Sequence, residues 1–226
     1  MLSTLIKKLL LIRQAYFKSV DTNFYSQFGE DRILNELISK KNKNGFYLDV
    51  GCFHHKKYSN TFMLHKRGWN GINIDMEKDK IDLFNLTRPK DFNYLAAVSN
   101  EVKSVNIYRN QAYGVSSSIK PGYIKNKDDI IDENIIETKT LNFILNISPF
   151  KNRKIDLLNV DTEGSDFDVI VSLNFDIYHP KIIIIETEKK KIEEILNTET
   201  YRFLKEKKYI LRSWNYHSLI FISTLY

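Results

Sequence analysis

Apolar positions along the chain gather into short β-favouring runs that alternate with stretches of helical spacing, and the order of the two is the first structural signal. Gly45 to Val50 (Gly-Phe-Tyr-Leu-Asp-Val) is a strand-type run that stops at Gly51, and Asn60 to Arg67 reads as a helix. Gly71 to Asp75 is a second strand, Glu77 to Leu86 a helix and Phe92 to Ser99 a third strand. Strands separated by helices in this way pair in parallel, with the helices as crossovers. Val102 to Tyr108 alternates after the turn-like Asn100-Glu101, which predicts an antiparallel hairpin with the third strand. Leu141 to Asn146 is a short helix, Ile155 to Val160 and Lys181 to Glu186 are buried strands, and Asp166 to Leu173 and Glu193 to Lys207 are helices. Tyr209 to Trp214 and Ser218 to Ser223, parted by Asn215-Tyr216-His217, form an antiparallel edge hairpin. Residues 110 to 135 are polar and irregular, which predicts a long loop over one sheet end.

The expected architecture is therefore an α/β domain over residues 45–226, preceded by a helical extension over 1–44. A chain of 226 residues with 42% hydrophobic and 27% charged residues, 8 Gly and 4 Pro is an ordinary globular one, neither collagenous nor disordered. Within the extension, Leu2, Leu5, Ile6, Leu9, Leu10, Ile12 and Phe17 recur at helical spacing among Lys7, Lys8, Arg13 and Lys18. Lysines interrupt this stretch too early for a signal peptide. The helix over 2–19 either packs on its own domain, the favoured reading, or lies peripherally on an anionic membrane face. The longest aliphatic runs, Leu9 to Ile12 and Ile182 to Ile185, fall far short of the roughly 20 residues that span a bilayer. Cys52 is the only cysteine, so no internal disulfide can form, and a reducing, cytoplasmic setting is expected. The net charge of +6 suits an anionic partner, but runs such as Lys189-Lys190-Lys191 lack interleaved aromatics and read as solvated faces, which disfavours nucleic acid.

In a doubly wound sheet, ligands bind beyond the carboxyl ends of the strands. Those ends read Asp49-Val50-Gly51-Cys52-Phe53-His54, Asp75, Ala96-Ala97-Val98-Ser99, Asp161-Thr162-Glu163-Gly164 and Glu186-Thr187-Glu188. A glycine after the first strand admits a close ligand, and an acid 24 residues later, ending the second strand, suits the two hydroxyls of a ribose. No Gly-x-Gly-x-x-Gly turn and no phosphate loop are present, so phosphate-rich nucleotides are disfavoured. A cationic, phosphate-free nucleoside such as S-adenosylmethionine fits an acid-lined pocket better, with Asp49 near its methionine portion.

Tyr25-Ser26-Gln27-Phe28-Gly29-Glu30-Asp31, Leu48-Asp49-Val50-Gly51, Ser59-Asn60-Thr61, Gly68-Trp69-Asn70-Gly71-Ile72-Asn73-Ile74-Asp75 and Asn159-Val160-Asp161-Thr162-Glu163-Gly164 together resemble the FkbM-type methyltransferases, over roughly residues 24 to 224. The resemblance implies a Rossmann-like class I methyltransferase: a seven-stranded, mostly parallel sheet with an antiparallel C-terminal edge hairpin and helices on both faces. It also implies S-adenosylmethionine as methyl donor and a hydroxyl of a sugar or small metabolite, surface glycans included, as acceptor. By the same resemblance Asp49 and Gly51 form the first cofactor signature, Asp75 meets the ribose with Met76 or Glu77 beside it, and Ala97 and Val98 border the adenine. Asp161 and Glu163 stand by the reactive methyl, while Ser26, Gln27, Glu30 and Asp31 lie over the same pocket. The chain departs from the pattern at Cys52 and at His54-His55, where relatives often carry alanine and a small residue or proline.

Methyl transfer to oxygen requires alignment and a group that takes the acceptor's proton. Asp161, Glu163 and His54 are the catalytic candidates, His55 an alternative to His54, and Glu186 a supporting carboxylate. The same acids could instead hold a divalent cation, the less favoured reading, or cap the following helix. The adjacent His54 and His55 are expected to point apart, His65 and His179 are incidental, His217 is a surface residue of the hairpin turn, and Trp69 and Trp214 are packing aromatics. Tyr113, Tyr123 and the serines at 116 to 118 belong to a loop able to close over an acceptor. The competing functions are a nucleic-acid methyltransferase and a catalytically silent nucleoside-binding module.

Overall fold

The computed structural model describes residues 5, 6, 9, 24–109, 117–121, 123 and 134–226. Five strands, β1 (Phe46–Val50), β2 (Asn70–Asp75), β3 (Phe92–Leu95), β8 (Leu157–Val160) and β9 (Ile182–Glu186), run parallel; β11 (Ser218–Ser223), antiparallel to β9, and β10 (Tyr209–Asn215), antiparallel to β11, complete a seven-stranded sheet. The order is β10-β11-β9-β8-β1-β2-β3, so the chain reverses direction of winding between β1 and β8. This is the expected Rossmann-like sheet, with the terminal hairpin at its edge.

Side-chain alternation assigns each face its helices. Phe46, Leu48 and Val50 of β1, with Ile72, Ile74, Leu158, Val160, Ile183 and Ile185, enter a core shared with α4 (Leu141–Ile147), α5 (Asp166–Val171) and α7 (Glu199–Glu206) through Ile144, Val169, Ile170 and Leu204. Tyr47, Leu157, Ile182 and Ile184 point the other way and pack on Leu34 of α1 (Glu30–Leu37), Leu64 of α2 (Phe62–Lys66), Ile38 and Trp69. Helices thus cover both faces, as continuous apolar parallel strands require. Residues from the 24–44 stretch are part of that second core.

The second face is not wholly apolar. In register across four strands stand Asn159, Asp49, Asn73 and Asn93. Asn159 donates to Asp49 at 2.8 Å, and Asn73 to Asn93 at 2.7 Å. Below the row lies Arg88, 1% exposed, at the end of α3 (Lys78–Thr87). Its guanidinium donates to Tyr47 Oη at 3.1 Å, Thr61 Oγ1 at 2.9 Å, Ser59 Oγ at 3.2 Å and the His55 carbonyl. Tyr47 also donates to Asp91, which takes the Gly71 amide at 3.1 Å and Asn73 at 3.0 Å.

Three local expectations change. The run Phe92 to Ser99 is two strands: after β3 the chain leaves the main sheet at Ala96, and β4 (Ala97–Val98) pairs with β7 (Asn134–Lys139). The segment after Asn100 makes no hairpin with it; β5 (Ser104–Arg109) pairs antiparallel with β7 and with β6 (Ser117–Ser118) in a separate four-stranded sheet. Residues 193–207 are two helices, α6 (Ile192–Leu196) and α7, because Thr198 caps α7 by accepting the Tyr201 amide at 3.2 Å. Of the 2–19 helix only Leu5, Ile6 and Leu9 are described, helical and exposed; its other positions, and Tyr113, Gly114 and Ser116 of the 110–135 segment, lie outside the described residues.

A buried cation stripped of its acceptors, or acceptors stripped of their cation, costs several kcal/mol. Arg88→Met should therefore lower unfolding free energy by about 3–5 kcal/mol in urea denaturation. Arg202→Met, on an exposed stretch of α7, should change it by less than about 1 kcal/mol. Equal small losses would show that the buried network is incidental.

Candidate active site

The carboxyl ends of β1, β2, β8 and β9 open into a cavity of about 280 Å³, at the lower edge of the roughly 300–1,000 Å³ of small-molecule sites. Gly51 stands at its floor with φ +82°, its amide bonded to the Ile74 carbonyl at 2.9 Å. A Cβ there would sit 1.7 Å from the Asp161 carbonyl oxygen, so only glycine lets the first and fourth turns of the fold close on each other.

Eleven of the residues singled out by the sequence line this cavity: Gln27, Glu30, Asp49, Gly51, His54, Asp75, Met76, Ala97, Val98, Asp161 and Glu163. Asp49 accepts Thr61 Oγ1 at 2.6 Å and Asn159 at 2.8 Å, and burial raises its pKa. Asp75 accepts the Glu77 amide at 2.8 Å and pairs with Lys80 at 3.1 Å; burial pushes it up to about 6 against the pull of that lysine. Asp161 and Glu186 are hydrogen-bonded to each other, and burial together with their neighbouring carboxyls raises both, so the pair retains a proton well above the usual carboxylate range. Glu163, at φ +52°, is also raised by burial and bonds to Tyr123, whose ring packs on Gly164. Glu30 accepts Ser218 Oγ at 2.8 Å and the Phe28 amide at 2.9 Å.

The capping role falls elsewhere. Asp166 takes the Thr162 amide at 2.9 Å and the Gly164 amide at 3.2 Å, leaving Asp161 and Glu163 turned to the cavity. Ser26 and Asp31 bond each other at 2.8 Å and line no part of this cavity. Glu77 is drawn away by Arg109 at 2.7 Å and Ser117 at 2.8 Å.

The histidines differ from expectation. His54 and His55 do not diverge; their rings stack at 4.4 Å because the turn after Gly51 is not a strand and imposes no alternation. His54 Nδ1 accepts the Lys56 and Lys57 amides, both at 3.0 Å, so the neutral ring carries its proton on Nε2. Burial and the Lys57 charge lower its pKa. His217 is a lining residue, not a surface one: its Nδ1 is 3.2 Å from the Thr187 carbonyl, and its ring packs against Phe28. Trp69 is buried and Trp214 partly exposed.

Lys80, Asn60, Asn159, Ser165 and Ser218, to which the sequence assigns no ligand role, also line the cavity, together with His217, expected at the surface. Lys80 carried a signal, since a cation in the first turn of a helix opposes the dipole and implies a nearby acid. Buried beside the cavity, Asn60 Oδ1 and Ser165 Oγ have no hydrogen-bond partner among the described residues. No group of three or more His, Cys, Asp or Glu among the described residues is arranged to hold a metal ion.

Residues 49–211 match the family model of the methyltransferase FkbM domain. The chain belongs to this methyltransferase family. The FkbM match begins at Asp49, so Gln27, Glu30, His217 and Ser218 reach the cavity from outside the matched stretch. Among solved structures, this FkbM chain is similar to a TehB-like SAM-dependent methyltransferase from Corynebacterium glutamicum ATCC 13032 Kitasato, at 11% identity over 96% of this chain and 97% of that one, with a TM-score of 0.45. No curated protein sequence matches the chain.

The Asp75 environment sets a pH signature. A folded-state pKa raised from 3.8 to about 6 stabilises the fold fully below pH 4, and this contribution disappears as pH rises through about 6. Between pH 4 and pH 8 the wild type should therefore lose about 3 kcal/mol relative to Asp75→Asn, measured by denaturation at each pH. A pH-independent difference between the two proteins would contradict that environment. Gly51→Ala should destabilise by about 3 kcal/mol or more, since positive φ and backbone overlap act together; a loss under about 1 kcal/mol would show that the two turns part easily.

Proposed function

We propose that this chain is an S-adenosylmethionine-dependent O-methyltransferase acting on a hydroxyl of a sugar or other small metabolite. The observation that carries the reading is the convergence, in a chain of a methyltransferase family, of six carboxyl side chains and the bare backbone of Gly51 on one cavity. Glu30, Asp49, Asp75, Asp161, Glu163 and Glu186 face a single lysine, Lys80, which is already paired. Such a donor set repels phosphate and favours a cationic ligand. The unpartnered Asn60 Oδ1 beside the same acids suits a ligand rich in N–H donors after a small side-chain shift.

Asp75 and Met76 would hold the ribose, Ala97 and Val98 the adenine, and Asp49 and Gly51 the methionine portion, with Gln27 and Glu30 over the top. When bound, S-adenosylmethionine supplies a methyl on a cationic sulfur. The chain's own work is alignment of the acceptor and removal of its proton. Asp161 and Glu163 are the residues for proton removal. Asp161 does so only after it releases the proton shared with Glu186, so turnover should rise toward alkaline pH. His54, with Nδ1 occupied, presents an Nε2–H that orients an acceptor oxygen rather than a lone pair that deprotonates it. The reaction belongs to the cytoplasm, where the buried Cys52 stays reduced, and residues 2–19 allow a resting place on the inner membrane face.

Calorimetric titration with S-adenosylmethionine and its demethylated product, with NAD as control, tests the cofactor. Micromolar binding is expected, weakened by about 1–3 kcal/mol in Asp75→Ala through a lost charged hydrogen bond; equal affinity in the variant would remove Asp75 from the ribose. Asp161→Asn should leave binding intact and depress turnover, and undiminished turnover would take Asp161 out of the mechanism.

A further inference from the structure

Beside the cavity, across the segment that carries Gln27 and Phe28, lies an open groove of about 850 Å³. Its walls are the first turns of α1 and the edge strand β10, clamped where Asn215 donates to the Phe28 carbonyl at 2.7 Å. Gln27 and Phe28 line both spaces, so an elongated molecule in the groove has one end at the cavity.

The chemistry of the groove is the reverse of the cavity's. It holds two arginines, Arg32 and Arg212, against one acid, Glu36. Neither guanidinium has a partner among the described residues, although Glu36 lies one helical turn from Arg32. Arginine is the minority cation here, 8 of the 34 Lys and Arg residues, so two unpaired arginines in one groove are not a by-product of a lysine-rich surface. Arg212 is also placed by a backbone irregularity. The β10–β11 register runs Leu211 to Phe221 and then Ser213 to Ile220, which makes Arg212 the extra residue of a bulge. Bulges re-aim side chains, and this one serves the groove. Phe24, about half exposed, and Phe28 supply the flat apolar faces on which a pyranose ring packs.

We infer that this groove seats the methyl acceptor and that the acceptor is an anionic saccharide, its carboxylate or phosphate held by Arg32 and Arg212 while its hydroxyl reaches past Phe28 to the cavity. The inference rests on the methyltransferase reading above. A planar guanidinium matches either anion with paired hydrogen bonds, and opposite charge in adjoining spaces sorts a cationic cofactor from an anionic acceptor.

The test is calorimetric titration of the full chain, saturated with S-adenosylhomocysteine, with four probes: trigalacturonate, trehalose 6-phosphate, neutral maltotriose and a single-stranded RNA 12-mer. At least one anionic saccharide should bind about tenfold or more tightly than maltotriose, and which of the two does so identifies carboxylate or phosphate. Arg32→Gln/Arg212→Gln, both at exposed positions, should lose that preference by about tenfold or more with unchanged affinity for S-adenosylhomocysteine. Equal binding of maltotriose, undiminished binding by the variant, no binding of either anionic saccharide, or preference for the RNA would each overturn the inference. Absence of S-adenosylhomocysteine binding in the preliminary titration would instead overturn the cofactor reading, while the saccharide preference of the free protein would still decide the groove.

Discussion

The guanidinium of Arg88 is the constraint on which the arrangement of the site depends. A cation with 1% exposure survives only if its desolvation is offset by close acceptors, and Tyr47, Ser59, Thr61, Asn73 and the His55 carbonyl supply them. Those acceptors belong to β1, β2, the entrance to α2 and the turn after Gly51. Through Thr61 the same network reaches Asp49 Oδ2, and Asn159 takes the other oxygen, so the carboxyl at the cavity floor has a fixed orientation. Polar groups in the middle of a sheet are costly unless satisfied. Here they join three strand ends and one helix into a single hydrogen-bonded body, and the ligand-facing turns hang from it.

Beyond that body, the site is a problem of like charge. Six carboxyls converge on one cavity, and the protein answers in three ways: Lys80 pairs with Asp75, Asp161 is hydrogen-bonded to Glu186, and Glu30 and Asp49 are bonded by neighbouring side chains and amides. A bound cation relieves the rest. In the proposed function this ties cofactor choice to proton balance, since a cationic ligand favours ionisation of the acids beside it. By reciprocity, the proposed proton removal from the acceptor would depend on occupancy of the cofactor site.

Much of this was legible in the chain, and the limits are physical. Parallel strands announce themselves because burial on both faces demands unbroken apolar runs, such as Ile182 to Ile185, and because ligand chemistry must cluster at their carboxyl ends. That is why eleven of the residues chosen from strand-end and N-terminal motifs meet at one cavity, whereas Ser26, Asp31 and Glu77 are taken up by neighbouring side chains outside it. The small second sheet was not legible, since β4 and β7 are paired across about 40 residues and β3 gives way to β4 at Ala96 with no turn residue to mark it. The division of residues 193–207 was legible in principle, because Thr198 is a good N-cap. Arg88 was not: nothing in the helix that precedes Pro89 distinguishes a buried arginine from a solvated one. His217 was placed at the surface because a hairpin turn is usually there, but this turn folds back over the parallel strand ends and brings its histidine to the cavity.

In the proposed function a nucleoside cofactor lies across the ends of β1 and β2, with its ribose on Asp75. A crystal structure of the chain with S-adenosylhomocysteine tests this most directly. The expected result is density for the ligand in the cavity above Gly51, ribose oxygens on Asp75, and Lys80 shifted from its present position. A ligand bound elsewhere, or a cavity holding only solvent with Asp75 still paired to Lys80, would contradict the account.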